Sequence, residues 1–326
     1  MLDQARLSRV TLARRPLGQR LVANFALALD YRFPRAPQIV FEGTEHIPLN
    51  GGAFLAMNHT DRYNYWPFQY RAYRLGLPFT ATWVKGKYYE NKWMGRFMDS
   101  MNNIPMPSRG YMITTEFRNA VGRPPSEIEY RALRDLVDGD GALASSSSSF
   151  PASADLDRFL GPDRTVFRAR FEALFDEMMR AVCELNRRAI EDLGLNVLVF
   201  PEGTRSRRLS RGHDGLAQIA QHLGAPIVPI GCSGSDTLYP GNSPLSKGGK
   251  VTYRIGAPID LDAPEVAAYR VPRGPLPFTT DATRCHGASY SALTEVVMNR
   301  INDLIDPEYR RENTDELGAR GAERFV

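Results

Sequence analysis

An α/β fold, a mixed and mostly parallel sheet flanked by helices with an N-terminal helical segment and a helical insert, is what three observations predict. Short β-branched and aliphatic runs alternate with helical patterns along the chain. The run Leu195-Asn196-Val197-Leu198-Val199 breaks at Pro201 into a turn carrying Gly, Thr, Ser and Arg, as at the carboxyl edge of an open sheet. With 326 residues, 43% hydrophobic and 24% charged, the chain can bury a full core.

Composition narrows the partners without choosing one. The three cysteines, Cys183, Cys232 and Cys285, are odd in number and irregularly spaced. They support neither a disulfide framework nor a zinc site and favour a reducing compartment. Cys285-His286 reads as a surface loop. A net charge of +4 and a pI of about 9.0 suit nucleic acid, anionic lipid or a phosphorylated metabolite alike. No run approaches the roughly 20 apolar residues of a spanning helix, and the N-terminus lacks a signal-peptide core, so a soluble or peripheral protein is expected.

The expected divisions are a basic amphipathic helical segment at 1–38, an α/β domain at 39–275 with a helical insert at about 110–194, and a C-terminal helix with a charged tail at 276–326. In the first, Arg6, Arg9, Arg14, Arg15 and Arg20 precede Leu21 to Leu29, Tyr31 and Phe33. Such a segment either lies in a bilayer interface, with Arg toward lipid phosphates, or docks on the domain as an ordinary amphipathic helix.

Strands are predicted at 39–43, at 51–57 ending on Asn58-His59, and at 79–84. A helix over 63–75 carries Tyr63, Tyr65, Trp66, Phe68, Tyr70 and Tyr73, which serve as core or as an interfacial belt. The stretch 110–194 combines helical patterns at about 126–137 and 163–193 with the low-complexity run Ser145 to Ser149 and Pro151, and reads as a separate helical subdomain or a lid. Strands resume at 195–199, 225–230 and 250–255. A helix over 288–305 has Leu293, Val296, Val297, Ile301 and Leu304 at helical spacing, and the tail beyond Pro307 is expected to fray.

Two constellations carry chemistry. His59 follows a strand directly, with Asn58 before it and Asp61, Arg62 and Asn64 after it, and is either a general base or a satisfied structural histidine. Arg205 and Arg207 behind Gly203-Thr204 offer guanidinium donors, a hydroxyl and turn amides, which suit a phosphate or form a solvated cluster. Ser246 to Lys250 lacks phosphate-loop spacing, Gly231 to Ser235 is not a nucleophile elbow, and no metal-ligand spacing occurs.

Taken together these residues resemble the glycerolipid acyltransferase family, which includes 1-acylglycerol-3-phosphate and glycerol-3-phosphate acyltransferases. The family's Asn-His, four residues, Asp block is matched by Asn58-His59 and Asn64, except that Asn stands for Asp. Its Phe-Pro-Glu-Gly-Thr-Arg-Ser block stands unaltered at Phe200 to Ser206. Its second block looks like Gly95 to Arg109, and its apolar Pro-Ile-Val-Pro lies at Pro226 to Pro229.

The resemblance implies transfer of a fatty acyl group from a thioester, of coenzyme A or acyl carrier protein, to a lysophospholipid or glycerol phosphate hydroxyl. It implies no other cofactor and no metal, a peripheral position at the cytoplasmic membrane surface, and no nucleic-acid partner. His59 is then the base, oriented by Asn64 or Asp61, while Arg109, Glu202, Gly203, Thr204 and Arg205 hold the acceptor. An Asn carbonyl orients an imidazole but carries no charge to offset the imidazolium. The alternative is therefore a catalytically weakened lipid-binding or scaffold protein at a membrane.

Overall fold

A computed structural model describes residues 2–49, 52–139, 151, 153–272 and 274–311. The Ser145 to Ser149 run and the tail after Arg311 lie outside these residues. Seven strands form one sheet: β1 (Gln38–Glu42), β2 (Phe54–Met57), β3 (Thr80–Lys85), β4 (Asn103–Met106), β5 (Asn196–Val199), β6 (Ile227–Ser233) and β7 (Lys250–Ile255). Their order is β1-β7-β6-β2-β5-β3-β4. Neighbours pair in parallel except β6 with β7, so β1 and β7 run opposite to the other five.

Phe54 opposes Val197 on one side and Ile227 on the other, and β2, β5 and β6 are buried at every position. That double-sided burial is why these strands read as unbroken apolar runs. Strand β4 escaped the sequence reading because Pro105 interrupts it. At the sheet's edge a proline costs no central ladder bond.

The helices are α1 (Gln4–Leu7), α2 (Leu17–Leu21), continued through a π-helical stretch at Val22–Leu27 into α3 (Ala28–Asp30), α4 (Tyr65–Arg74), α5 (Lys92–Ser100), α6 (Arg109–Val121), α7 (Glu127–Asp138), α8 (Ala154–Leu160), α9 (Arg164–Arg187), α10 (Gly215–Leu223), α11 (Ser235–Leu238), α12 (Pro264–Ala267) and α13 (Thr280–Leu304). Ser126 and Glu129 cap α7 reciprocally, which satisfies two of its leading amides. No helix among the described residues is long and apolar enough to cross a membrane.

The described helices α6 to α9 of the insert pack into the same core as the sheet. Phe117, Phe159, Phe167, Phe171 and Phe175 are buried in one core with Phe54, Ala56, Val197 and Val199 of the sheet. Phe159 makes edge-on contacts with Phe117 at 5.1 Å and Phe167 at 5.0 Å, each worth roughly 0.5–1.5 kcal/mol beyond area burial. Trp83 of β3 donates its indole N–H to Asn186 Oδ1 of α9 at 2.8 Å, tying the layer to the sheet.

On the other face, Phe68, Tyr239 and Tyr253 pack with Leu55, Leu198 and Val228, so the aromatics of α4 lie on protein. The helical segment from Leu17 docks and also stays exposed. Ala23 and Leu27 are buried, while Leu17, Leu21, Phe25 and Leu29 face outward at four-residue spacing. At Gly18 a side chain would come within 2.6 Å of the Ser100 carbonyl, so this glycine lets the segment pack closely on the end of α5.

One expectation fails. Cys285-His286 belongs to α13 rather than a loop, since Thr279 caps a helix that starts at Thr280, eight residues before the stretch whose periodicity announced it. Past Pro307 the described residues are anchored: Tyr309 is buried, donates to Asp236 at 2.6 Å and accepts the Gly234 amide at 3.1 Å, while the rest of the tail expected to fray lies outside them.

Candidate active site

Because β2 lies between β5 and β6, Met57 and Val199 end side by side at the sheet's carboxyl edge. The loops leaving them therefore meet. Asn58 leads the first loop and behaves as an extra strand residue: its Nδ2 donates to the Cys232 carbonyl at 2.9 Å and its Oδ1 accepts the Cys232 amide at 2.7 Å. Asn58 is buried, so both bonds replace water entirely.

His59 follows, half-buried, with its ring stacked on Phe200 at 4.2 Å and 21°. Its backbone binds the second loop twice. The His59 amide donates to Glu202 Oε1 at 2.7 Å, and the His59 carbonyl accepts the Ser206 amide at 2.9 Å. The two constellations recognised separately in the sequence are thus one structure.

Asn64 fixes the imidazole. Its Oδ1 lies 3.2 Å from His59 Nδ1, and its Nδ2 donates to the Asn58 carbonyl at 2.8 Å. A carbonyl only accepts, so the amide has one sensible orientation, and Oδ1 must face the ring. His59 then carries its proton on Nδ1 and leaves the Nε2 lone pair available. Asn64 is itself immobilised: it is wholly buried, and its carbonyl accepts the Tyr253 hydroxyl at 2.5 Å.

Asp61 does not reach the ring through any hydrogen bond. Its carboxylate accepts the Tyr63 amide at 2.8 Å and the Thr60 hydroxyl at 3.0 Å, closing the turn that leads into α4. Burial pushes the Asp61 carboxyl up, against the pull of these donors.

Burial also lowers the His59 pKa to about 4, opposed by the Asn64 hydrogen bond and reinforced by the Arg205 and Lys85 cations. The imidazole is therefore neutral near pH 7. Lys85, at the end of β3, was missed in the sequence because nothing local to it signals that β3 ends beside β5.

Within the second loop, Gly203 N–H bonds the Phe200 carbonyl at 3.0 Å, a β-turn with Pro201 at its second position. Gly203 has φ of +64°, which a side chain would strain. Glu202 braces the loop from inside. It is buried, and its Oε2 accepts both the amide and the hydroxyl of Ser210 at 2.8 Å while Oε1 holds His59. Burial raises its pKa, with these donors opposing. Both oxygens being occupied, Glu202 positions the two loops.

Thr204 is half-buried, and Arg205 is exposed with no ion-pair partner among the described residues. Arg207 is 3.6 Å from Asp236.

Arg109 lies elsewhere in the network. At the start of α6, it pairs with Asp138 at 2.9 Å and bidentately with Glu172, donates to the Val137 carbonyl at 3.0 Å, and stacks over Phe171 and Phe175. Two carboxylates already neutralise this guanidinium, and it holds α6, α7 and α9 together. Among the described residues no three His, Cys, Asp or Glu side chains group as a metal site.

Comparison with known proteins adds the following. A search of curated proteins finds no match. Among solved structures, the 1-acyl-sn-glycerophosphate (LPA) acyltransferase PlsC from Thermotoga maritima aligns at 16% identity, over 92% of this chain and 87% of that one, with a TM-score of 0.38. A score that low carries neither fold nor activity across. The acyltransferase family matches residues 164–233, a segment running from α9 through β5, the Phe200 turn and α10 to the end of β6. That matched segment carries the second half of the site around His59.

Proposed function

We propose that the chain moves a fatty acyl group from an acyl thioester to the hydroxyl of a lysophospholipid or glycerol phosphate, with His59 as general base. One arrangement carries the reading: the His59 ring, its Nδ1 3.2 Å from Asn64 Oδ1, stands beside an Arg-bearing turn within the segment that the acyltransferase family matches. In the reaction, Nε2 takes the acceptor's hydroxyl proton as its oxygen attacks the thioester carbonyl. The carbon–sulfur bond then breaks, and the same proton passes to the leaving thiolate.

Thr204 and Arg205 hold the acceptor's phosphate, which makes the encounter effectively unimolecular. The exposed stripe Leu17, Leu21, Phe25 and Leu29 supports a peripheral position on a membrane from which a lysophospholipid acceptor arrives. Coenzyme A or acyl carrier protein supplies the thioester.

The test is acyl transfer by purified protein to lysophosphatidate and to glycerol 3-phosphate, with each donor in turn. Wild-type chain should transfer and His59→Ala should not; transfer undiminished in His59→Ala ends the base assignment. One feature favours a second reading, a weakened lipid-binding or scaffold protein: no carboxylate faces His59 Nδ1. That reading predicts no transfer by wild type, with cellular role and lipid binding intact in His59→Ala.

A further inference from the structure

At the opposite edge of the sheet lies a groove of about 640 Å³ lined by Arg14, Arg15 and Arg74. Leu49, Phe79 and Leu195 form part of its apolar wall. No Asp or Glu among the described residues lines it. Some arginines of the described surface are paired, as Arg6 is with Asp99 and Arg254 with Glu42 and Asp306. Arg14, Arg15 and Arg74 are exposed and have no acidic partner among the described residues.

Three like charges lining one groove, with no acidic partner among the described residues, repel one another, and an anion relieves that repulsion. The carboxyl end of α4, which Arg74 closes, opposes an anion with only about half a charge. Its last carbonyls are partly satisfied by the Leu75, Gly76 and Leu77 amides. Three full charges outweigh that. The apolar wall argues further that the anion carries a hydrocarbon portion: Leu49, which lines it, is 63% exposed.

We propose that this groove is a second binding site, for an anionic amphiphile whose phosphate or carboxylate head sits among Arg14, Arg15 and Arg74 and whose chain covers Leu49 and Phe79. It is separate from the site at His59. Leu195 and Phe200 flank opposite ends of β5, roughly 16 Å apart at about 3.3 Å per residue. The inference does not depend on the proposed reaction.

Calorimetric titration of the full chain with dodecyl phosphate, below its micelle concentration, tests the assignment. The groove site should persist in Arg205→Gln. It should weaken about tenfold or more in the triple variant Arg14→Gln, Arg15→Gln, Arg74→Gln, which removes charge-assisted contacts. Inorganic phosphate and dodecyl maltoside, offering head without chain and chain without charge, should each bind more weakly than dodecyl phosphate.

Unchanged affinity and stoichiometry in the triple variant would overturn the site. Equal binding of dodecyl maltoside would overturn its anion selectivity, and equal binding of inorganic phosphate would mark it as a free-phosphate site rather than an amphiphile site. A failure of the catalytic reading is distinguishable. In that case Arg205→Gln leaves all binding unaltered while the triple variant still loses the groove.

Discussion

Replacing Asn64 by Asp should turn a geometrically oriented histidine into an electrostatically supported one. The substitution places a negative charge at the atom now 3.2 Å from His59 Nδ1. A charge pair at about 4 Å in an effective dielectric of about 20 interacts by roughly 4 kcal/mol, equivalent to about three pKa units. Part of this is offset, because the carboxylate is wholly buried and its second oxygen faces the Asn58 carbonyl that now accepts Nδ2 at 2.8 Å. A net rise of about 1–2 units is expected.

His59, now at about 4, would then titrate between about 5 and 6. The acid limb of the pH dependence of kcat/KM should move up with it, and turnover near neutral pH should rise about tenfold or more as the imidazolium gains a counter-charge. Folding stability should fall by about 1–3 kcal/mol for the lost Asn58 contact. The readouts are the pH–rate profile and the imidazole NMR titration. A folded variant whose acid limb and imidazole titration both stay put would refute the argument, since Asn64 would then not govern the ring.

Glu202→Gln should cost about 1–3 kcal/mol in chemical denaturation, because its new NH2 faces one set of donors from His59 or Ser210; an unaltered midpoint would contradict the brace. Arg205→Gln should raise KM for a phosphate-bearing acceptor about tenfold while moving kcat less, whereas Arg109→Met should lower stability by about 2 kcal/mol with KM unchanged. Equal KM effects would return Arg109 to the acceptor site. The His59 pKa is depressed from 6.5 to about 4, so the unfolded chain binds the extra proton between those values. The stability this group supplies above pH 6.5 is lost as pH falls toward 4, by roughly 2–3 kcal/mol, and the slope between pH 6.5 and 5 should flatten in His59→Gln. Matching slopes would show the ring is not desolvated.

The strands most visible in the sequence were those buried on both faces, because two-sided burial leaves a continuous apolar run. Strand β4 was hidden by Pro105, and α5 and α6 by short patterns in which exposed apolar residues such as Trp93 and Phe97 blur the helical period. His59 and the Phe200 turn were legible as chemistry since each has unusual residue types at a strand end. Their contact was not, because it depends on β2 and β5 being neighbours across more than a hundred residues of chain. The role of Arg109 illustrates the same limit. Its carboxylate partners Asp138 and Glu172 are separated from it by two helices, and only the packed insert brings them together.

The paired hydrogen bonds of Asn58 to Cys232 give the molecule a built-in reporter. The Cys232 amide is satisfied by a side chain of the His59 loop, so it meets solvent only when that loop lets go. Its deuterium exchange rate, compared with those of neighbouring β6 amides, therefore counts the openings of the site in the resting protein. A substrate that closes the loop would slow that one amide more than the strand around it.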